Sequence, residues 1–222
     1  MSAVLAIEVR GELLQLSEER ALFWPARSTL MVADWHLGKA AVFSRRGLAI
    51  PEGDLAYDLQ RLDALLALFR PSRLVVLGDL MHAPPVPADR WPARLSAWLA
   101  EHPALTVEIV AGNHDRVDPV LLPDGLSTRL VWHPDVLFMP PFVLAHEPTS
   151  NKHGYVIAGH IHPTRVLSGG ADRVRSPAFW WRRDYAVLPA FGSFTGGHNI
   201  RPARDDRVFV TGPGAVIEVS KT

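Results

Sequence analysis

Cysteine is absent from all 222 residues, which removes disulfides, thiolate metal sites and a cysteine nucleophile together. Any metal site must therefore be built from imidazole and oxygen. A bias of charge is missing as well, since 23 lysines and arginines balance 23 aspartates and glutamates. No global basic field is present to hold nucleic acid non-specifically, so contact with a polyanion has to come from local patches. Long apolar runs are also lacking. The longest, Val136 to Ala145, is about half of what crosses a bilayer and contains Pro140 and Pro141. Glu8, Arg10 and Glu12 interrupt the first residues before an apolar stretch can develop, so no signal peptide is expected and the cytoplasm is the expected compartment. The pattern G-x-x-x-x-G-K-[ST] does not occur, and Gly192-Ser193-Phe194 does not complete G-x-S-x-G. These two absences exclude a P-loop ATPase and a serine hydrolase of that type.

With 48% hydrophobic residues and no low-complexity stretch, the chain is long enough to bury a substantial core, and residues 1–222 read as one domain. Short strands are expected at Ala3 to Val9, Leu13 to Leu16 and Ala21 to Trp24, broken by Gly11 and by a charged turn at Glu18 to Arg20. Three apolar runs follow: Thr29 to Ala33, Leu74 to Leu77 and Val107 to Ala111. Between them, Leu55, Leu59, Leu62, Leu66 and Phe69 recur at helical spacing, as do Trp91, Leu95 and Trp98. The order is β-α-β-α-β. Beyond Pro123 the helical period fades and strands are expected at Phe142 to Ala145, Tyr155 to Ala158, Thr164 to Leu167, Ala186 to Leu188, Val208 to Val210 and Ala215 to Val219. An α/β first half joined to a β-rich second half predicts two mixed sheets packed face to face with helices outside, an α-β-β-α sandwich.

Acidic and imidazole residues fall at the ends of these runs: Asp34 and His36, then Asp79, then Asn113 and His114, then His146, then His160 and His162. In open α/β sheets the carboxyl ends of strands face the ligand crevice, so side chains from five strands can converge there. Asp34 and His36 lie two apart, on one side of an extended segment, and His160 and His162 repeat the spacing. Asp79 has two oxygens with which to bridge two cations, and Asn113 offers a neutral amide oxygen. A mixed nitrogen and oxygen set suits manganese, iron or zinc. A lone Asp-x-His or Gly-Asp is a common loop end; the ordered series is what carries meaning, because polar groups at buried strand ends need partners and metals supply them.

The series Asp34-x-His36, Gly78-Asp79-x-x-His82, Gly112-Asn113-His114-Asp115, His146 and Gly159-His160-x-His162 resembles the calcineurin-like metallophosphoesterase superfamily. That resemblance implies one metal on Asp34, His36, Asp79 and His162 and another on Asp79, Asn113, His146 and His160. It implies that His114 is the general acid, with Asp115 holding its ring. His82 would orient the substrate phosphate or contact a ligand. A histidine closing the second motif resembles nuclease and phosphodiesterase branches more than protein phosphatases. Asp34-Trp35-His36-Leu37-Gly38-Lys39, Arg45-Arg46-Gly47 before Pro51-Glu52-Gly53, His146-Glu147-Pro148 and Phe191 to Gly197 are similar to a bacterial ligase-associated branch grouped with DNA repair enzymes.

On that resemblance the expected activity is a manganese-dependent endonuclease acting on single-stranded DNA, in functional association with ligase or helicase proteins. A centre of two divalent ions and two carboxylates stays net positive and binds a phosphoryl transition state better than its diester ground state. The same centre could instead serve a small or cyclic nucleotide without an extended groove, and a non-catalytic module of the same fold would be expected to lack ligands or the acid. Lys39, Arg45 and Arg46 are basic candidates beside the first motif. Arg173, Arg175, Arg182 and Arg183 interleave with Phe179, Trp180 and Trp181, a pattern read here as aromatic core with solvated arginines.

Overall fold

A computed structural model describes residues 3–48, 54–115, 122, 124–169 and 172–219. Pro51, Glu52 and Gly53 lie outside the described residues. In chain order the elements of the first half are β1 (Val4–Val9), β2 (Glu12–Ser17), β3 (Leu22–Trp24), β4 (Thr29–Val32), α1 (Lys39–Arg45), α2 (Asp54–Phe69), β5 (Arg73–Leu77), α3 (Trp91–Glu101), β6 (Thr106–Val110), α4 (Asp124–Ser127) and β7 (Leu130–His133). The second half contains β8 (Val136–Met139), β9 (Phe142–Ala145), β10 (Tyr155–Ala158), β11 (Pro163–Gly169), β12 (Asp172–Trp181), β13 (Tyr185–Val187), β14 (His198–Asn199), β15 (Arg207–Gly212) and β16 (Ala215–Glu218).

Strands β1 to β7 form one mixed sheet in sequence order, antiparallel from β1 to β4 and parallel from β4 to β7. The second sheet is also mixed, with β9, β10 and β13 parallel to one another at its centre. The period of two along the strands decides what each face meets. Leu30, Val32, Leu74, Val76, Val107 and Ile109 pack against α2 and α3. Met31, Val75, Leu77 and Val110 point the other way, against Phe142, Leu144, Ile157 and Phe179 of the second sheet. Central parallel strands buried on both faces read as the unbroken apolar runs seen in the sequence.

Helix α2 buries Leu55, Leu62 and Leu65, and α3 buries Trp91, Leu95, Trp98 and Leu99. The Trp98 indole donates to Asp63 Oδ1 at 2.6 Å, tying the two helices together. Helix α1 has no buried residue, so it leaves no hydrophobic period and the sequence reading passes over it. Strand β12 is not among the expected strands: Arg173, Val174 and Arg175 run out as an exposed extension, while Phe179 and Trp181 enter the core. Among the described residues, no helix is long and apolar enough to cross a membrane.

Candidate metal centre

The polar residues singled out above collect where β4, β5, β6, β9 and β10 end. Two of the segments are zipped together there. The His36 amide donates to Asp79 O, Leu37 to Leu80 O, and His82 back to Leu37 O. From the other side the Phe191 amide donates to Ala33 O. Five of the nine non-glycine residues with positive φ among the described residues are Asp34, His36, Asp79, His160 and His162. Such a conformation is strained and persists only where the surroundings impose it. Here it turns each chain sharply at the strand end, aiming these side chains at a common point.

The glycines of the motifs make room for that convergence. A Cβ on Gly112 would stand 2.2 Å from Asp79 Oδ1, and one on Gly78 would stand 1.9 Å from His146 Nδ1. Neither position accepts any other residue without displacing a polar side chain of the centre.

Two sets of donor atoms result, one on each side of Asp79. On one side His36 Nε2 lies 3.3 Å from His162 Nε2 and 3.7 Å from Asp79 Oδ2, and His162 Nε2 lies 3.5 Å from Asp34 Oδ1. On the other, His146 Nε2 lies 2.9 Å from Asn113 Oδ1, 3.0 Å from His160 Nδ1 and 3.6 Å from Asp79 Oδ1. Atoms sharing one cation at about 2.0–2.2 Å lie roughly 3.0–3.5 Å apart, which is the spacing seen in both sets.

Hydrogen bonds behind the rings show that lone pairs face inward. Leu77 O accepts from His146 Nδ1 at 3.3 Å, and Gly196 O accepts from His162 Nδ1 at 3.1 Å. Because a carbonyl can only accept, each Nδ1 carries a proton, and in the neutral ring each Nε2 presents a lone pair to the centre. Burial above all, then neighbouring His162 and Lys39, lowers the His36 pKa to about 2, so this imidazole is neutral. Burial opposes protonation of His162 too, but the hydrogen bond and charge of Asp34 outweigh it and raise the pKa. Asp34 is fully buried and Asp79 is 2% exposed. Among the described residues neither meets a lysine or arginine; their only ion-pair partners are these histidines. Lone pairs and buried carboxylates facing one another without a cation of the chain's own are what a metal site requires, and Asp34, His36, Asp79 and His162 could hold one.

Residues 28–209 match the calcineurin-like phosphoesterase family. The chain belongs to that family. It is an enzyme, a metal-dependent phosphoesterase. Among solved structures, the Pseudomonas putida nuclease MPE is similar at 36% identity and a TM-score of 0.84, covering 98% of this chain and 100% of that one. The E. coli phosphoesterase Yfce is similar at 17% identity and a TM-score of 0.44, covering 86% of this chain and 97% of that one. No curated protein matches.

Three further groups border the donor sets of this phosphoesterase. The His114 ring does not meet Asp115, contrary to expectation. Its Nδ1 donates to His82 O at 2.8 Å, while the Asp115 carboxylate accepts from the amides of Leu80, Met81 and Gly112 at 3.2, 3.0 and 2.9 Å. Asp115 thus fastens the second motif to the third, and burial raises its pKa despite those bonds. The His82 ring stacks on His114 with centroids 5.1 Å apart. Burial first, then Lys39 and His114, lowers its pKa. Lys39, which opens α1, is itself half-buried and its pKa lowered by burial.

The remaining basic candidates divide. Arg45 pairs with Asp89, and Arg46 is exposed. Arg173 and Arg175 are exposed, whereas Arg182 is engaged by Tyr185 Oη and Asp206. Core aromatics with solvent-facing arginines are what the alternation predicts.

Proposed function

We propose that this phosphoesterase is a phosphodiesterase that cuts single-stranded DNA internally with manganese, as one domain spanning residues 1–222. The observation that carries the reading is the pair of donor sets sharing Asp79, Oδ2 toward one and Oδ1 toward the other. Asp34, His36, Asp79 and His162 would hold one ion, and Asp79, Asn113, His146 and His160 the other. A set of imidazole nitrogens and hard oxygens without thiolate is compatible with manganese. Similarity to a nuclease over nearly the whole chain supports a nucleic acid as substrate. A role in DNA repair, in the cytoplasm and alongside ligase or helicase proteins, belongs to the same proposal and follows from the ligase-associated motifs.

Two divalent ions, when bound, supply positive charge to the phosphoryl oxygens and a water acidic enough to attack phosphorus near neutral pH. The chain's own residues do the rest. His114 holds its Nδ1 proton against the His82 carbonyl, so Nε2 is the atom left to exchange a proton with the departing oxygen: the doubly protonated ring gives its Nε2 proton and is left neutral with Nδ1–H in place. Burial lowers the pKa of stacked His82, which disfavours its competing for that proton. Lys39, whose charge acts on both His36 and His82, would add a cation beside the donor sets for the substrate phosphate.

The test is metal-stripped protein with manganese restored, given a circular single strand, a small diester and a phosphomonoester. Cleavage of both diesters with the monoester intact is the expected result. Turnover of the small substrates alone would replace this reading with a small-nucleotide phosphodiesterase or phosphatase.

A further inference from the structure

A cavity of about 300 Å³ adjoins the metal centre, enclosed by α1, the starts of α2 and α3, and the loop that follows Phe191. His36 belongs both to its wall and to the first donor set. Trp35, Trp91 and Phe194 supply aromatic surface. The Trp35 indole nitrogen is buried without a hydrogen-bond partner among the described residues. Arg90 and Arg94 stand at the same cavity and make no ion pair among the described residues.

Voids of this size are rare in a close-packed interior, and this one opens to solvent at the lower end of small-ligand sites. Its lining mixes aromatic and aliphatic side chains with charged ones, which suits a compact group with apolar faces and polar edges better than a bare phosphate. Aromatic side chains beside guanidinium groups (Arg45, Arg90, Arg94) and carboxylates (Asp54, Asp58, Asp89), able to pair with the donor and acceptor edge of a base, suit a flat heteroaromatic group. Position adds to this. Phe194 meets Phe43 edge-on at 6.1 Å, and Phe43 stacks on His82, which stacks on His114. Two rings, Phe43 and His82, therefore separate Phe194 from the proposed proton donor, while His36 in the cavity wall has its ring centroid 5.0 Å from that of His114, which brings the cavity within reach of the nucleoside next to the bond that breaks.

We propose that this cavity is a nucleobase subsite: one base adjoining the cleaved phosphodiester leaves the strand's stack and enters it. The inference rests on the reading of the protein as a nuclease. It explains a preference for single strands, because unpaired bases unstack most readily. It also gives Trp35 a role in the second residue of the first motif.

The test uses a short strand with one phosphodiester among uncleavable methylphosphonate links, each flanking nucleotide being normal or abasic. Removing the base on one particular side lowers kcat/KM about five- to hundredfold, and removing the other has little effect. Filling the cavity with Ala41→Phe, or removing a wall with Phe194→Ala, reduces cleavage of the normal strand comparably. Neither variant slows the doubly abasic strand further, which also shows that each variant is folded. Equal cleavage of normal and doubly abasic strands by the wild-type enzyme overturns the subsite and leaves the nuclease reading standing. If methyl 4-nitrophenyl phosphate is hydrolysed and no strand is cut, the nuclease reading fails and the subsite fails with it.

Discussion

Two clusters of buried charge lie on either side of the 191–193 loop, and they are finished differently. In one, Arg61 is 6% exposed and fully engaged: Nε donates to Glu19 Oε2 at 2.6 Å, Nη1 to Asp58 Oδ1 at 3.1 Å and to Phe191 O at 2.7 Å, and Nη2 to Glu19 O at 2.6 Å. Its guanidinium also sits 4.3 Å from the Phe191 ring centroid. Asp58 completes the cluster by accepting from the Ser193 amide. In the other, Asp34 and Asp79 accept from the His160 and His114 amides and have only imidazoles as ion-pair partners, with no lysine or arginine from the described residues. A buried ionic cluster that contains its own cation is finished by folding, whereas one that lacks it is finished by a ligand. The first also serves the second, because the loop it clamps is the one whose Phe191 and Gly192 amides reach Ala33 O and Asp34 O.

The contrast is broken most severely at Asp79. Asp79→Asn should lower metal affinity more than about a hundredfold and turnover about a thousandfold. The metal-stripped variant should nevertheless be as stable to urea as the stripped wild type, since one buried charge without a counterion is gone. His114→Ala should lower kcat about 10²–10⁴-fold with unchanged metal stoichiometry, read from single-turnover cleavage and metal analysis. Arg61→Ala should do the reverse, costing about 3–5 kcal/mol of stability in urea unfolding by stranding Asp58 and Glu19, with or without metal.

The smallest effect is one of pH. His36 is depressed to about 2 in the folded chain from an ordinary 6.5, so between those values the unfolded chain binds the extra proton. Stability from this group is therefore full above about 6.5 and falls with decreasing pH, by about 1.4 kcal/mol per pH unit. Stripped His36→Gln protein should show an acid slope shallower by about one proton in urea titrations at several pH values.

What the sequence disclosed follows the same division. The residues that converge were legible because they follow apolar runs, and strands β9 (Phe142–Ala145) and β10 (Tyr155–Ala158) matched to the residue. The left-handed backbone of Asp34, His36, Asp79, His160 and His162 was not legible, since nothing in these residue types marks it. The partner of the His114 ring was missed because it is a backbone carbonyl, that of His82, which has no sequence signature. Asp58 and Arg61, three apart on α2, carry nothing in the sequence that marks them as buried. Only the approach of Phe191 and Ser193, far along the chain, buries them. Helix α1 lacked a buried face and so lacked a period.

The central claim is that the second cluster lacks only cations that a metal supplies, and manganese titration of stripped protein by calorimetry tests it most directly. Two ions per chain should bind the wild type and the Arg61→Ala variant, and tight binding should disappear in Asp79→Asn. Equal manganese binding by wild type and Asp79→Asn, or none by either, would contradict it.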